Sequence, residues 1–217
     1  MSLQFAAALA GVAGPVIFLS VLTLAGLMRD GYDPVTRFAS DLAIGEAGWV
    51  QTANFIALGS LLIVFAAGLR RGLADGSTLR ASVVLLCLSG VGLVLAGLFP
   101  TDLAGQPSTS HGAVHFAASL LAFGALLLAF FLIARAFGQD ARWVRYAGYS
   151  IRTGIVVGVL CLAATAAAPA ATFNNHHAGP LAAWTGLVQR ALFLVAFGWI
   201  AVIGLKLLRL TGRRASR

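Results

Sequence analysis

The chain predicts an all-α, polytopic membrane bundle of six transmembrane helices with both termini in the cytoplasm. Three observations carry that prediction. Six apolar runs of spanning length follow one another, and only the last contains a charge, Arg190. Hydrophobic residues make up 59% of the 217 residues and charged ones 10%, too few charges to solvate the surface of a soluble domain. The segments between the runs alternate between cation-rich and cation-poor.

The runs cover residues 5–28, 48–69, 81–99, 113–134, 153–172 and 181–205. A helix rising about 1.5 Å per residue needs roughly 20 residues to cross a hydrocarbon layer about 30 Å thick, so each is long enough. The first lacks the basic lead and the short apolar region of a secretory signal, and is expected to remain as a span. Pro15 is expected to kink the first span, Pro100 to end the third, and Pro169 to lie near the outer end of the fifth. Gly and Ala are dense in the spans, where small residues let helix backbones approach closely. Cys87 and Cys161 fall inside spans as small hydrophobes and imply neither a disulfide nor a cysteine metal motif. With no linker, the whole chain, 1–217, reads as one membrane domain.

Lys and Arg number three over residues 70–80, four over 135–152 and five from Lys206 onward; the opposite connections hold two (Arg29 and Arg37), none and none. The positive-inside rule then places both termini in the cytoplasm of a cell-membrane protein. The net charge of +8 belongs to that orientation and to anionic lipid heads, and a nucleic-acid partner is not expected. Val50 to Phe55 and Val188 to Phe193 match at four of six positions, too few to argue a duplicated half.

The first outer connection has its own pattern. Asp33 before Pro34 reads as an N-cap with proline at the first helical position. Val35, Phe38 and Leu42 then share one face, and Gly45 supplies a stop. A short amphipathic helix, about 34–44, is expected to lie in the outer interface and to bring Ser40 and Asp41 to the mouth of the bundle.

Polar chemistry collects at that outer end: His111, His115, His176 and His177, with Asp30, Asp33, Asp41, Glu46 and Asp102. His111, His115 and Ser119 share one face of the fourth helix, Gln51 and Asn54 one face of the second, and Thr185 and Gln189 one face of the sixth. Arg190 falls about 13 Å beyond Leu181, near mid-bilayer, where an arginine is expected to face a partner or a wet cavity. It reads either as a clamp paired with Asp41 or Asp102, or as the group that binds an anionic head together with Gln189, Gln51 and Asn54. His111 and His115 have the i, i+4 spacing that lets one helix offer two imidazoles to zinc, with Asp102 and either His176 or His177 completing the set. The alternative is that these histidines line a wet vestibule. Asp41 reads either as an exposed partner of Arg37 or as a buried acid, and Asp102 either as a cap on its turn or as a second such acid.

The stretches Gly14-Pro15, Gly31-Tyr32-Asp33-Pro34, Arg37-Phe38-Ala39-Ser40-Asp41-Leu42, Gly48-Trp49, Phe55, Gly59, Leu98-Phe99-Pro100-Thr101-Asp102 and Gly112-Ala113-Val114-His115 are similar to a known pattern. The chain resembles the bacterial and archaeal six-helix membrane family called domain of unknown function 998. The resemblance implies a six-helix bundle over essentially the whole chain, with Asp41, Asp102 and His115 as signature polar positions. His111, His176 and His177 lie outside the pattern, and the resemblance implies no particular reaction.

The leading functional expectation is a lipid- or isoprenoid-processing site open to the outer leaflet. Asp41 and Asp102 would be acid/base or ligand groups and His115 a base or metal ligand. Non-catalytic binding of a lipid or small molecule, transport, an accessory or oligomeric subunit, and a histidine-based proton sensor are the other expectations.

Overall fold

Each apolar run folds as one long helix in a computed structural model that describes residues 3–103, 106–167 and 182–215. They are α1 (Leu3–Met28), α2 (Gly48–Gly72), α3 (Ser77–Leu98), α4 (Ser110–Gly138), α5 (Val144–Ala167) and α6 (Thr185–Ala215). The described residues are 83% helical, and no strand occurs among them. All six helices are long and apolar enough to cross a membrane. Even α3, with 22 residues, reaches about 33 Å. Their outward faces carry Leu27, Leu128, Val159 and Leu162, large exposed apolar side chains of the kind that lipid solvates.

Most helices extend a turn or so beyond the uncharged runs. Helix α6 runs on to Ala215, past residue 205, and α5 starts at Val144, not near residue 153. Arg145 and Arg152 interrupt the apolar run without interrupting the helix, because a charged side chain at a span's end can reach the interface while its backbone stays helical. Pro169, His176 and His177 lie outside the described residues. Pro15 is buried inside α1, and the helix continues through it.

Each helix packs against its neighbours in sequence, and α6 closes onto α1, giving an up-and-down ring of six. One end of the ring carries the 29–47 and 99–109 connections. The other carries the short 73–76 and 139–143 connections together with the chain ends, where Gln4 Nε2 donates to Arg71 O at 2.8 Å. Exposed Trp49 and Trp184, at the starts of α2 and α6, mark the first end, a common position for indoles at a membrane interface.

Aromatic rings fill the centre. Phe18 of α1 sits 5.3 Å from Phe55 of α2 and 5.4 Å from Phe193 of α6, so the two halves of the Val50/Val188 echo meet on one ring. Trp199 packs edge-on to Phe130 at 5.0 Å and donates from Nε1 to Ser150 Oγ at 2.9 Å. Where backbones meet, side chains are absent: a Cβ on Gly90 would lie 2.6 Å from Gly59 O, so the α2–α3 crossing requires glycine.

The expected interfacial helix at 34–44 is replaced by a tighter path. Asp33 starts a single turn, its Oδ1 accepting from Val35 N at 2.9 Å and its Oδ2 from Thr36 Oγ1 at 2.8 Å. The backbone then extends at Phe38 and resumes as a 3-10 helix over Ala39–Ala43, buried at all five positions. A helix in the interface would keep one face in water; this segment instead enters the mouth of the ring and packs on α1, α2 and α6. Gly31 and Gly45 allow it, with φ of 68° and 90°, left-handed values that strain any residue with a Cβ.

Candidate functional site

Three polar joints build the end that carries the 29–47 connection. In the first, Arg190 gathers that connection onto α6. Its Nη1 donates to Pro34 O (2.8 Å), Arg37 O (3.2 Å) and Gly186 O (3.1 Å), and its Nη2 to Tyr32 Oη (2.5 Å). The guanidinium also stacks 5.5 Å from the centre of the Tyr32 ring. Tyr32 Oη donates in turn to Phe38 O at 2.9 Å. Burial raises the Tyr32 pKa from its usual value, against the opposing pull of Arg190. Leu187 N donates to Val35 O at 3.0 Å, and a Cβ on Gly186 would collide with the carbonyls of Pro34 and Arg37.

Helix α6 starts at Thr185 after a 3-10 turn over Ala182–Trp184, later than the expected run, so Arg190 lies about 8 Å into the helix. Its side chain reaches the connection, where backbone carbonyls take up the charge, and among the described residues no carboxylate lies within 4 Å of it. Arginine suits this work because its planar fork serves several acceptors at once.

The second joint is a reciprocal cap between α3 and α4. Phe99-Pro100 stops α3, leaving the carbonyls of Ala96 and Phe99 2.9 and 2.8 Å from His115 Nδ1. Both partners are acceptors, so Nδ1 carries the proton and Nε2 is the acceptor of the neutral ring. From the other side, Asp102 caps α4. Thr109 N donates to its Oδ2 and Thr109 Oγ1 to its Oδ1, both at 2.8 Å, while Thr109 Oγ1 accepts from Gly112 N at 3.1 Å. The carboxylate sits at the positive end of the helix. A Cβ on Gly112 would strike it. The Phe-Pro-x-Asp and Gly-x-x-His stretches are thus two halves of one joint.

The third joint holds Asp41. Arg29 Nη1 donates to its backbone O at 2.7 Å, and Arg37 Nε lies 3.9 Å from its Oδ2. The residue is only 5% exposed, and burial pushes its pKa up to about 6 against the opposing charges of Arg37 and Arg29. Arg37 does approach Asp41 at the i, i+4 spacing, but the acid is buried where an exposed pair was the simpler expectation.

Beneath these joints lies a cavity of about 550 Å³ among α3, α4, α5 and α6. Phe55, Phe123, Leu127 and Phe193 give it apolar walls, while Ser40, Thr101, Asp102, His115, Ser119 and Gln189 supply its polar side. Exposed Leu120 of α4 and Thr165 of α5 form part of its rim, on the outer side of the ring. Gln189 also fixes the roof, its Oε1 accepting from Ala39 N at 2.6 Å.

The structure brings His115, Asp102, Ser119 and Gln189 to one cavity. Arg190 and Asp41 stand in the roof above it and do not line it. Gln51 and Asn54 lie elsewhere, buried between α1 and α2: Asn54 Nδ2 donates to Phe18 O (3.0 Å) and Gln51 Oε1 (3.2 Å), and Gln51 Nε2 and Asn54 Oδ1 have no partner among the described residues. His111 is exposed and packs 5.6 Å from Phe99. With His115 Nδ1 turned to α3 and Asp102 turned to Thr109, no three His, Cys, Asp or Glu side chains among the described residues gather as a metal requires. Tyr32, Arg29 and Thr109 escaped the sequence reading. Tyr32 stands inside a quoted stretch, but its burial and its bond to Arg190 follow only from the path of the connection.

A ring of six spanning helices around a buried aromatic core, with a side cavity beneath a folded-in connection, defines a polytopic membrane protein with an internal pocket. The chain belongs to the family described as protein of unknown function (DUF998), whose sequence model matches residues 12–206. No curated protein and no solved structure matches it.

Proposed function

We propose that the protein binds a lipid-like amphiphile in the α3–α6 cavity, with the molecule's polar end at His115. The observation that carries this reading is the locked imidazole. His115 is 8% exposed, lines an otherwise largely apolar cavity, and has Nδ1 committed to two carbonyls, so Nε2 is left to accept a hydrogen bond. An acceptor in an apolar chamber suits a hydroxyl-bearing amphiphile of the lipid or isoprenoid type. The volume falls within the range of ordinary small-molecule sites, about 300–1,000 Å³. Arg190 is taken up by the roof, which argues for a neutral polar end in place of an anionic one.

Gentle extraction followed by native mass spectrometry tests the reading. The wild-type protein retains an amphiphile. Gly124→Trp fills the cavity from a position where an added Cβ meets nothing within 4 Å, and loses the amphiphile while remaining folded. Protein that carries no such molecule, or a G124W variant that keeps it, overturns the proposal.

The fixed tautomer also favours a second, catalytic reading, in which Nε2 accepts the proton of the bound hydroxyl as that oxygen attacks the carbonyl of an acyl ester, and returns the proton to the alcohol that leaves as the old ester bond breaks. Membrane lipid classes would then differ between cells with the wild-type protein and cells with His115→Gln. Identical lipids would remove the catalytic reading and leave binding intact.

A further inference from the structure

We propose that a second site, at the opposite end of the ring, holds the phosphate-bearing head of an anionic membrane lipid between α5 and α6. A depression of about 540 Å³ is formed there by Arg142, Arg145, Tyr146, Tyr149, Val202 and Lys206. Its charges do not cancel. The nearby acid, Asp140, is already held by Arg142, with Nη2–Oδ2 at 2.6 Å and Nε–Oδ1 at 3.0 Å, and Arg142 also reaches Gly72 O at 3.2 Å. That contact depresses the Asp140 pKa, and the charge of Lys206 adds a smaller pull in the same direction. The ion pairs among the described residues are Arg142–Asp140, Arg80–Asp75 and Arg37–Asp41, so Arg145 and Lys206 have no carboxylate within 4 Å.

Lys206 is also held in place. Its ammonium lies 5.9 Å from the centre of the Trp143 ring and 5.7 Å from that of Tyr146, a slot between two aromatic faces. The first turn of α5 adds to the imbalance, because it contains Arg145 and no acid. A helix starts with its positive end, so a cation there is unfavourable and an anion favourable. The positive-inside rule explains why this end is basic. It does not explain a concave, aromatic-walled cluster with one ammonium fixed between rings. Exposed Arg209, one turn further along α6, is the cation that rule alone predicts.

A lipid fits better than free phosphate because exposed Val144, Ile151 and Leu205 lie along the same two helices, where acyl chains can run while the head meets Arg145 and Lys206. The charge bias along the sequence assigns this end to the cytoplasmic leaflet.

The test is titration of detergent-solubilised protein with phosphatidylglycerol or phosphatidylcholine, with bound lipids counted by native mass spectrometry. Phosphatidylglycerol is expected to bind preferentially, and Arg145→Gln and Lys206→Gln each to weaken it about fivefold. Arg209→Gln should leave binding unchanged, and Tyr149→Phe provides a folded variant that tests the wall without altering charge. Equal binding of phosphatidylcholine, or an equal loss in R209Q, reduces the site to a general basic surface and overturns the proposal. Displacement of the lipid by excess inorganic phosphate overturns the lipid assignment. Loss of the cavity-bound amphiphile has no bearing on this outcome.

Discussion

At the end carrying the 29–47 and 99–109 connections, several charged side chains are folded onto the backbone, Arg190 onto three carbonyls, Arg29 onto the Asp41 carbonyl and Asp102 onto the start of α4, while Asp30, Asp33 and Glu46 stay exposed. At the end carrying the chain termini, the ion pairs among the described residues are Arg142–Asp140 and Arg80–Asp75. The connections explain the contrast. Those at the termini end are four or five residues long and close with local side-chain bonds, Asp75 accepting from Gly76 N and Arg142 bridging Asp140 and Gly72 O. The 29–47 connection enters the mouth of the ring with little regular backbone pairing, so carbonyls that are exposed at Pro34 and part-buried at Arg37 and Asp41 take donors from Arg190 and Arg29. Charge at the first end takes the place of secondary structure; at the other the connections are too short to require more than those local bonds.

Substitution of Arg190 should break the contrast most severely. Arg190→Met removes four hydrogen bonds from the roof, exposed at Pro34 O and part-buried at Arg37 O, Gly186 O and Tyr32 Oη, at a cost of about 3 kcal/mol. Thermal unfolding in detergent measures that loss, and limited proteolysis should cut near residues 34–38. Arg190→Lys recovers little, since a single ammonium cannot span the same acceptors.

Next comes the α3–α4 joint. Gly112→Ala drives a methyl group into the Asp102 carboxylate and should cost about 1–3 kcal/mol by overpacking. Asp102→Ala in the same background should lose much of that penalty, and a double-mutant cycle measures the coupling.

Asp41 gives a pH dependence of intermediate size. Its folded pKa, about 6, lies above the ordinary 3.8, so the folded state binds the proton more tightly than the unfolded chain. The stabilisation this provides is complete below about pH 4 and is lost as pH rises through about 6. The unfolding temperature of the wild type should therefore fall between about pH 4 and 6. Asp41→Asn should flatten that slope; an unchanged slope would assign the titration to another group.

The smallest effect belongs to the termini end. Asp75→Asn removes a pair whose side chains are 64% and 57% exposed and should change stability by less than about 0.5 kcal/mol. A larger effect there would erase the distinction between the two ends.

The sequence reading located the joints without showing what they join. In the sequence, Asp102 reads either as a cap on its turn or as an acid, and beside His111 and His115 as one member of a zinc set. The geometry turns Asp102 to Thr109, which is the cap, and His115 Nδ1 to Ala96 and Phe99, because a proline-terminated helix and the helix after it each leave backbone groups to be capped. Gln51 and Asn54 were correctly placed on one face of α2, but that face looks at Phe18 and not at the cavity. Helical spacing says which residues share a face; it does not say what the face meets.

Composition and apolar run length were enough to set the class, the six spans and their up-and-down order, because a hydrocarbon layer imposes one length and one hydrogen-bonding solution on any segment that crosses it. The folded-in path of residues 33–43, the orientation of Arg190 and the single free nitrogen of His115 were decided only by tertiary structure. Each depends on which buried carbonyls lie within about 3 Å of a donor, and that proximity comes from packing between helices distant in sequence.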